Sequence, residues 1–121
     1  MITVAINGFG RIGRRVFRLL QEYKNIQVVA INDLADAKTL SHLLKYDSIH
    51  GIFKGSVSHS DNSIIVNNKN IPLLNNNHPK AINWLPFNVD FVIESSGKFK
   101  TTLDLQYHIN NGAKRVILSV P

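Results

Sequence analysis

The chain contains 121 residues, enough for one domain but too few for a complete two-domain enzyme. It has no cysteine, which excludes disulfide bonds, cysteine-ligated zinc and a thiol nucleophile within these residues. The formal net charge is +6, but the basic residues are scattered or lie along one helix without interleaved aromatics. That pattern favours an ordinary solvated surface over a nucleic-acid site.

A glycine-rich segment follows the first predicted strand, Ile2–Ile6. Gly8, Gly10 and Gly13 fit the pattern G-x-G-x-x-G. The first glycine allows a sharp turn from strand to helix, the second lets the backbone approach a pyrophosphate, and the third lets the helix pack closely on the strand. The N–H groups of the first helical turn then face the anion. The segment therefore predicts a phosphate-binding turn.

The residues after the glycines support this prediction. A helical stripe of apolar residues comes first, formed by Ile12, Val16, Leu19 and Leu20. A second strand, Ile26–Ile31, follows and leads to Asp33, twenty residues after Gly13. A carboxylate at this position can accept hydrogen bonds from both hydroxyls of an adenosine ribose. Its charge would repel a 2′-phosphate, which favours NAD over NADP.

The middle of the chain changes from helix to short strands. Asp36 is a suitable N-cap for a helix that ends at Tyr46–Asp47. The predicted buried side of that helix carries Leu40, Leu43 and Leu44. In residues 56–74, short β-favouring pieces alternate with turn clusters, which predicts a short antiparallel excursion.

Parallel-strand character returns at Asp90–Glu94, an apolar run typical of a strand covered on both faces. This strand leads into Ser95–Gly97. A third helix is predicted between a Thr101 cap and a Gly112 stop. Arg115–Ser119 is then predicted as another core strand.

Four predicted strands end on small or polar residues. These ends are Asn7–Gly8, Asp33, Ser95–Gly97 and Ser119. In an open α/β sheet, ligands bind outside the carboxyl ends of the strands, so these residues should share one edge. The sequence predicts an α/β fold, a doubly wound and mostly parallel Rossmann sheet that occupies residues 1–121 as one NAD-binding domain.

Metal and membrane sites are not predicted. The five histidines show no H-x-H or H-x-x-x-H pair and no helper acid at ligand spacing. No run approaches the ~18 apolar residues of a membrane span, and no basic leader precedes Ile2. We therefore expect a cytoplasmic protein without a metal ion.

Several motifs together resemble the N-terminal cofactor domain of the glyceraldehyde-3-phosphate dehydrogenase family over the whole chain. They are INGFGRIGR at the start, AIND ending at Asp33, LLKYDSIHG from Leu43, His78–Pro79 followed by Trp84, VDFVIESSGKF from Val89, and GAKRVILSVP at the end. The resemblance implies NAD as cofactor, a phosphorylated aldehyde as substrate of the whole enzyme, and a homotetramer.

The resemblance also implies roles for individual residues. The pyrophosphate group would be held by Asn7, Gly8, Gly10, Arg11 and Ile12. Asp33 would hold the adenosine ribose. The adenosine and the centre of the cofactor would be bordered by Ser95, Ser96, Gly97 and Phe99, with Ser119 nearer the nicotinamide. A core position is an alternative for Phe99, and strand-end capping is an alternative for Ser95 and Ser96.

Two positions depart from the family pattern. Asn77 stands where the family commonly carries an arginine beside the adenine. Asn77 can form hydrogen bonds but lacks the planar cation that stacks on a base, which predicts weaker adenine binding. Ile52 replaces another arginine in a loop that the resemblance associates with a subunit contact.

The catalytic residues implied by the resemblance, a cysteine and a histidine, lie beyond Pro121 in the family. We therefore expect an incomplete cofactor domain, without its catalytic domain, that is inactive by itself. One alternative is a fragment of erythrose-4-phosphate dehydrogenase, which Leu34–Ala37 faintly suggests, although Asp33 stands where that enzyme often carries Glu. Another is a stand-alone nucleotide-binding or interaction module without turnover.

Overall fold

A computed structural model describes residues 1–119 of the chain. The helices are α1 (Arg11–Leu20), α2 (Ala37–Lys45) and α3 (Thr102–Asn110). The strands are β1 (Ile2–Asn7), β2 (Ile26–Asn32), β3 (Tyr46–Asp47), β4 (Gly51–Ile52), β5 (Val57–Ser60), β6 (Ser63–Val66), β7 (Lys69–Leu74), β8 (Phe91–Glu94) and β9 (Arg115–Leu118). Short 3₁₀ turns occur at Pro79–Ala81 and Leu85–Phe87.

The main sheet has seven strands in the order β5-β6-β7-β2-β1-β8-β9. Neighbouring strands in the part of the sheet ordered β7-β2-β1-β8-β9 are parallel. The pairs β5-β6 and β6-β7 are antiparallel. β3 and β4 form a separate two-stranded antiparallel sheet. The predicted doubly wound, mostly parallel sheet and its antiparallel excursion are therefore confirmed.

The register of the parallel strands aligns their carboxyl ends. Asn7 lies opposite both Asn32 and Glu94, and Glu94 lies opposite Leu118. β2 and β7 are paired only at this end, through Ile31–Leu73 and Asn32–Leu74. Toward their amino ends a cavity of about 580 Å³ lies between residues of the two strands. The hydrogen bonds between β2 and β7 are thus confined to the edge of the sheet where the predicted site lies.

Each face of the sheet carries its own hydrophobic core. The core under α1 and α2 includes Ile6, Phe17 and Leu44, whereas the opposite core includes Ala5, Val92 and Trp84. A bulge in β2 keeps its paired side chains in the same core as those of β1. Val4 pairs with Val28 but the next residue, Ala5, pairs with Ala30, so β2 contains one extra residue at this point.

Both predicted helix caps are present. The Asp36 carboxylate accepts a hydrogen bond from the Thr39 amide at 2.7 Å, and the Thr101 hydroxyl oxygen accepts one from the Asp104 amide at 3.1 Å. These contacts satisfy amide groups that have no partner within the first helical turn. Within residues 1–119, none of the helices has the length and apolar character needed to cross a bilayer.

Three details of the predicted packing are wrong. In α1 the buried positions are Gly13 and Phe17, and Val16 and Leu20 of the predicted stripe pack against the same core, but Leu19 is 52% exposed. In α2, Leu43 lies at the rim of the core and is 37% exposed. β9 is an edge strand rather than a core strand, because within the described residues it has one neighbouring strand, and Ile117 is 46% exposed.

Candidate functional site

The glycine loop packs tightly against Ser96, which follows β8, the neighbour of β1 in the sheet. Gly8 has φ +92°, and a Cβ atom there would lie 2.5 Å from the Cα of Ser96. A Cβ atom on Gly13 would overlap the carbonyl oxygen of Gly8. In contrast, a Cβ atom on Gly10 would meet no atom within 4 Å. The first and third glycines thus meet packing constraints, while the second leaves open space above the loop.

Asp33 is joined to the glycine loop by a direct hydrogen bond. One carboxylate oxygen accepts the Phe9 amide at 2.7 Å, and the other accepts the Ala35 amide at 2.9 Å. Each carboxylate oxygen can accept a second hydrogen bond, so the group retains capacity for ribose hydroxyls. The carboxylate therefore organises the loop and also faces the groove beside it.

The amino terminus of α1 has no side-chain cap and no acidic residue in its first turn. Its free N–H groups and helix dipole therefore favour a bound anion. Arg14 lies behind the loop and donates to the Phe9 carbonyl oxygen at 3.0 Å. Burial lowers the pKa of Arg14 from its ordinary value more strongly than the nearby Asp47 raises it. Even so, the guanidinium stays charged at neutral pH.

A groove of about 200 Å³ runs across the carboxyl ends of β1, β2 and β8. Its lining contains most of the predicted site residues, namely Asn7, Gly8, Gly10, Asp33, Asn77, Ser95, Ser96 and Phe99. Lys98 also lines it and adds a positive charge. The structure therefore brings together eight residues that are separated by up to 92 positions in the sequence.

Four predicted residues lie outside this groove. Arg11 and Ile12 line a neighbouring cavity of about 360 Å³ beside the segment Asp47–His50. Gly97 occupies an exposed turn with φ +76°. The Ser119 amide donates to the Glu94 carbonyl oxygen at 2.9 Å, which extends the strand pairing without reaching the groove lining.

Phe99 is half-buried at the groove wall and does not belong to either core. Its ring packs edge-on against His78 with a centroid distance of 5.1 Å, and His78 packs in the same way on Tyr107 at 5.5 Å. The core alternative for Phe99 is therefore not what the structure shows. Asn77, the residue before His78, is exposed at the same wall.

The two serines fasten the loop in different ways. Ser95 is buried, and its hydroxyl donates to the Gly8 carbonyl oxygen at 2.7 Å. The Ser96 hydroxyl donates to the Glu94 carboxylate at 2.6 Å, and its amide donates to the same oxygen at 3.0 Å. Both residues thus have a structural role at the strand end, in addition to lining the groove.

Sequence reasoning missed two residues beneath the groove, Glu94 and His108. Both side chains are fully buried, 2.8 Å apart between the His108 Nε2 and Glu94 Oε1 atoms. Burial raises the pKa of Glu94, but hydrogen bonds from His108, Ser96 and Asn7 together lower it below its ordinary value. An acid that closes an otherwise apolar buried strand was the available signal for this site.

A doubly wound sheet with a G-x-G-x-x-G loop, an uncapped helix behind it and an acid after β2 defines the class of dinucleotide-binding domains. The open space above Gly10 and the free capacity of Asp33 fit such a ligand. Residues 2–102 match the family model described as glyceraldehyde 3-phosphate dehydrogenase, NAD binding domain. The chain belongs to this family, and its cofactor is NAD.

Curated relatives agree with the family assignment. The chain is 52% identical to a glyceraldehyde-3-phosphate dehydrogenase of Thermotoga maritima, over 100% of this chain and 37% of the relative. It is 49% identical to that of Mycoplasma pneumoniae and 48% identical to that of Geobacillus stearothermophilus, each over 99% of this chain and 36% of the relative. The chain thus spans little more than a third of the length of these relatives.

Proposed function

We propose that the chain is the NAD-binding part of a cytoplasmic, phosphorylating glyceraldehyde-3-phosphate dehydrogenase. In the whole enzyme, a phosphorylated aldehyde would be oxidised to an acyl phosphate in a homotetramer. When bound, NAD would accept the hydride that leaves the aldehyde carbon. The 121 residues would hold this cofactor as one domain without performing turnover by themselves.

The observation that carries the proposal is the contact between the glycine loop and Asp33 at the head of the groove. This contact joins the loop that precedes the free N–H groups of α1 to the carboxylate of Asp33, which supports a pyrophosphate and a ribose bound side by side. We assign the pyrophosphate to the loop from Asn7 to Gly10 and to the first turn of α1, where Arg11 and Ile12 lie. The carboxylate of Asp33 would select the ribose and oppose a 2′-phosphate.

The remaining predicted residues have supporting positions in this proposal. Phe99 and Asn77 border the groove on the side of His78, where an adenine base would lie. Ser95 and Ser96 hold the loop and the end of β8 at a fixed distance. Gly97 and Ser119 lie outside the groove lining. We assign Gly97 to the centre of the cofactor and Ser119 to the nicotinamide end.

Binding calorimetry on the 121-residue chain tests the cofactor part of the proposal. We expect saturable binding of NAD and markedly weaker binding of NADP, because Asp33 repels a 2′-phosphate. Equal affinity for both nucleotides, or none for NAD, would contradict the assignment of the groove. Gly10→Ala is a second probe of the groove, because its methyl group fills the space above the loop without touching Asp33.

A turnover assay tests the remaining part. The chain is incubated with glyceraldehyde 3-phosphate, NAD and phosphate, and the formation of NADH is followed by absorbance. We expect no NADH above a buffer blank, since these residues contain no cysteine nucleophile. Activity that survives repurification would show that the chemistry resides in these residues.

A further inference from the structure

Glu94 is a buried carboxylate directly below the groove, and four hydrogen-bond donors surround it. Its Oε1 atom accepts from the Asn7 amide nitrogen at 2.6 Å and from His108 at 2.8 Å. Its Oε2 atom accepts from the amide and hydroxyl of Ser96 at 3.0 and 2.6 Å. Four donors around one carboxylate favour its ionised form, so this charge is fully compensated.

The protonation state of His108 follows from its other neighbour. The indole N–H of Trp84 lies 3.0 Å from the His108 Nδ1 atom, and an indole nitrogen can only donate. The Nδ1 atom must therefore accept, which leaves the hydrogen on Nε2, where it points to Glu94. The ring is neutral and has one orientation. His108 is also the single fully buried residue of α3, so the helix is anchored to the sheet through this contact.

On its other side, the same carboxylate holds the amide group of Asn7. Asn7 must donate to Glu94 with its nitrogen, so its oxygen faces Asn32 and accepts from the Asn32 nitrogen at 2.8 Å. The Asn32 nitrogen also donates to the Asn76 carbonyl oxygen, and the Asn32 oxygen accepts the Asn76 amide, both at 2.9 Å. The Asn76 backbone therefore sets the orientation of the Asn32 amide, and Glu94 holds the Asn7 amide at the other end of the same hydrogen-bond chain, which runs from β8 across β1 to the loop after β7.

This network lies where the proposed cofactor would bind. Asn7, Asn32, Asn76 and Ser96 all line the groove, while Glu94, His108 and Trp84 lie beneath it. Buried ionic groups are often replaceable by apolar residues without loss of stability, so stability alone is a weak reason for a charge here. A role in fixing the groove accounts for it, because each member holds a different loop.

We propose that Glu94 is a positioning residue of the nucleotide site, which fixes Asn7 and Ser96 and is itself held by neutral His108 and Trp84. This inference rests on the proposed NAD-binding function. The carboxylate does not contact the ligand. It holds the amide nitrogen of Asn7, whose oxygen in turn contacts Asn32, and it fixes the end of β8 against which Gly8 packs.

The principal test compares two carboxamide substitutions at opposite ends of β8. Glu94→Gln keeps the size of the side chain but gives it an amide group that must face donors from Asn7, His108 or Ser96. Asp90→Asn is the matched control, because Asp90 accepts from Thr3 and pairs with Lys114 at the far end of the strand. Both variants lose strand-end contacts, but only Glu94→Gln changes the groove.

Two measurements are made on each 121-residue chain. NMR of the free chain follows the side-chain amide signals of Asn7 and Asn32 and the hydrogen exchange of the glycine-loop amides. Calorimetry gives the affinity for NAD. For Glu94→Gln we expect altered Asn7 and Asn32 signals, faster loop exchange and at least about ten-fold weaker binding. For Asp90→Asn we expect neither the signals nor the affinity to change.

A second pair of variants addresses the case in which Glu94→Gln does not fold. His108→Gln offers an oxygen to Trp84 and an N–H to Glu94, whereas His108→Leu offers neither. We expect His108→Gln to retain the wild-type Asn7 and Asn32 signals and NAD affinity, and His108→Leu to lose both. Equal behaviour of these two variants would overturn the proposal, as would unchanged loop exchange and affinity in a folded Glu94→Gln chain.

The outcomes also separate this inference from the proposed function. If the wild-type chain does not bind NAD, the proposed function fails. The NMR comparison of the free chains still decides whether Glu94 fixes the loop. If the wild-type chain binds NAD and Glu94→Gln binds equally well, the function stands and the positioning role fails.

Discussion

The carboxylate of Asp33 accepts the backbone N–H of Phe9 at 2.7 Å, which ties the acid after β2 directly to the glycine loop after β1. The two segments come from neighbouring parallel strands, and this hydrogen bond fixes their separation. A residue that the resemblance implies as a ligand contact is therefore also part of the frame around the ligand.

Replacing Asp33 should affect both roles. For Asp33→Ala we expect NAD binding to weaken by about 1.5–3 kcal/mol, roughly ten- to a hundred-fold, because a charged hydrogen-bond partner is lost. The preference over NADP should narrow as well. Calorimetry with both nucleotides measures these changes.

Asp33→Asn is the matched control for the hydrogen bond between residue 33 and the Phe9 amide. An asparagine oxygen can still accept the Phe9 amide, but the charge that repels a 2′-phosphate is gone. We expect its NAD affinity to lie between those of the wild type and Asp33→Ala, with the same narrowed preference over NADP. Wild-type affinities in both variants would remove Asp33 from the site.

An added methyl group should destabilise two glycine positions of the loop to different degrees. Gly8→Ala places a Cβ atom 2.5 Å from Ser96 at a positive φ, so we expect a loss of about 2 kcal/mol or more in the free energy of unfolding. Gly10→Ala meets open space and should cost at most about 1 kcal/mol as a poorer N-cap. Urea unfolding measures both values.

The small stability cost of Gly10→Ala allows its effect on nucleotide binding to be measured on a folded chain. Gly10→Ala should weaken NAD binding although the chain remains folded, because the methyl group fills the space that the pyrophosphate would occupy. If Gly10→Ala binds NAD as the wild type does, the pyrophosphate does not lie above this residue.

Acid should destabilise the chain partly through Glu94. The pKa of this carboxyl is lowered from its ordinary value of 4.5 in the folded state. Its contribution to the free energy of unfolding is therefore complete above about 4.5 and is lost as the pH falls from there through the folded-state pKa. Hydrogen bonds also lower the pKa of Asp36, Asp47 and Asp90, which act in the same direction.

The difference between variants isolates the share of Glu94. Urea unfolding of the wild type and of Glu94→Gln is compared at several pH values above and below 4.5. We expect a flatter profile for Glu94→Gln in this range. Parallel profiles would mean that Glu94 does not titrate differently in the folded and unfolded chains.

The outer edge of β9 should promote self-association. Among the described residues this edge has no strand neighbour, and both Ile117 and Leu118 are substantially exposed. Unpaired edges with apolar side chains favour pairing with a second chain. We expect light scattering to show concentration-dependent association that Ile117→Lys reduces. Ile49→Lys introduces the same charge in an exposed loop and should have less effect if association uses the strand edge.

Much of the fold could be predicted because its signals are local. The glycine spacing, the caps Asp36 and Thr101 and the apolar run before Glu94 each act within a few residues of the chain. The exposure of Leu19 and of β9 could not be read in this way, because it depends on which elements pack against them. A short apolar strand has the same pattern at the centre and at the edge of a sheet.

The site followed the same division. The groove residues at strand ends were predictable, since parallel strands bring their carboxyl ends to one edge. The contact between Glu94 and His108 was not, because it joins a strand end to the far part of a helix through tertiary packing. Glu94 lies in the motif that begins at Val89, but that motif does not indicate its partner, and His108 alone resembles any helical histidine.

Strand pairing between β2 and β7 occurs only near Asn32 and Leu74, directly beside the groove. Toward the opposite end the two strands part around a cavity, and the antiparallel strands, residues 57–74, are held there by apolar side chains of the core that they share with β2 and α2. Apolar packing is not directional, whereas backbone hydrogen bonds are, so the junction between the two strands is fixed most closely at the groove. The loop that carries Asn76 and Asn77 leaves β7 at this hydrogen-bonded end, so the cofactor edge inherits the better-defined side of the junction.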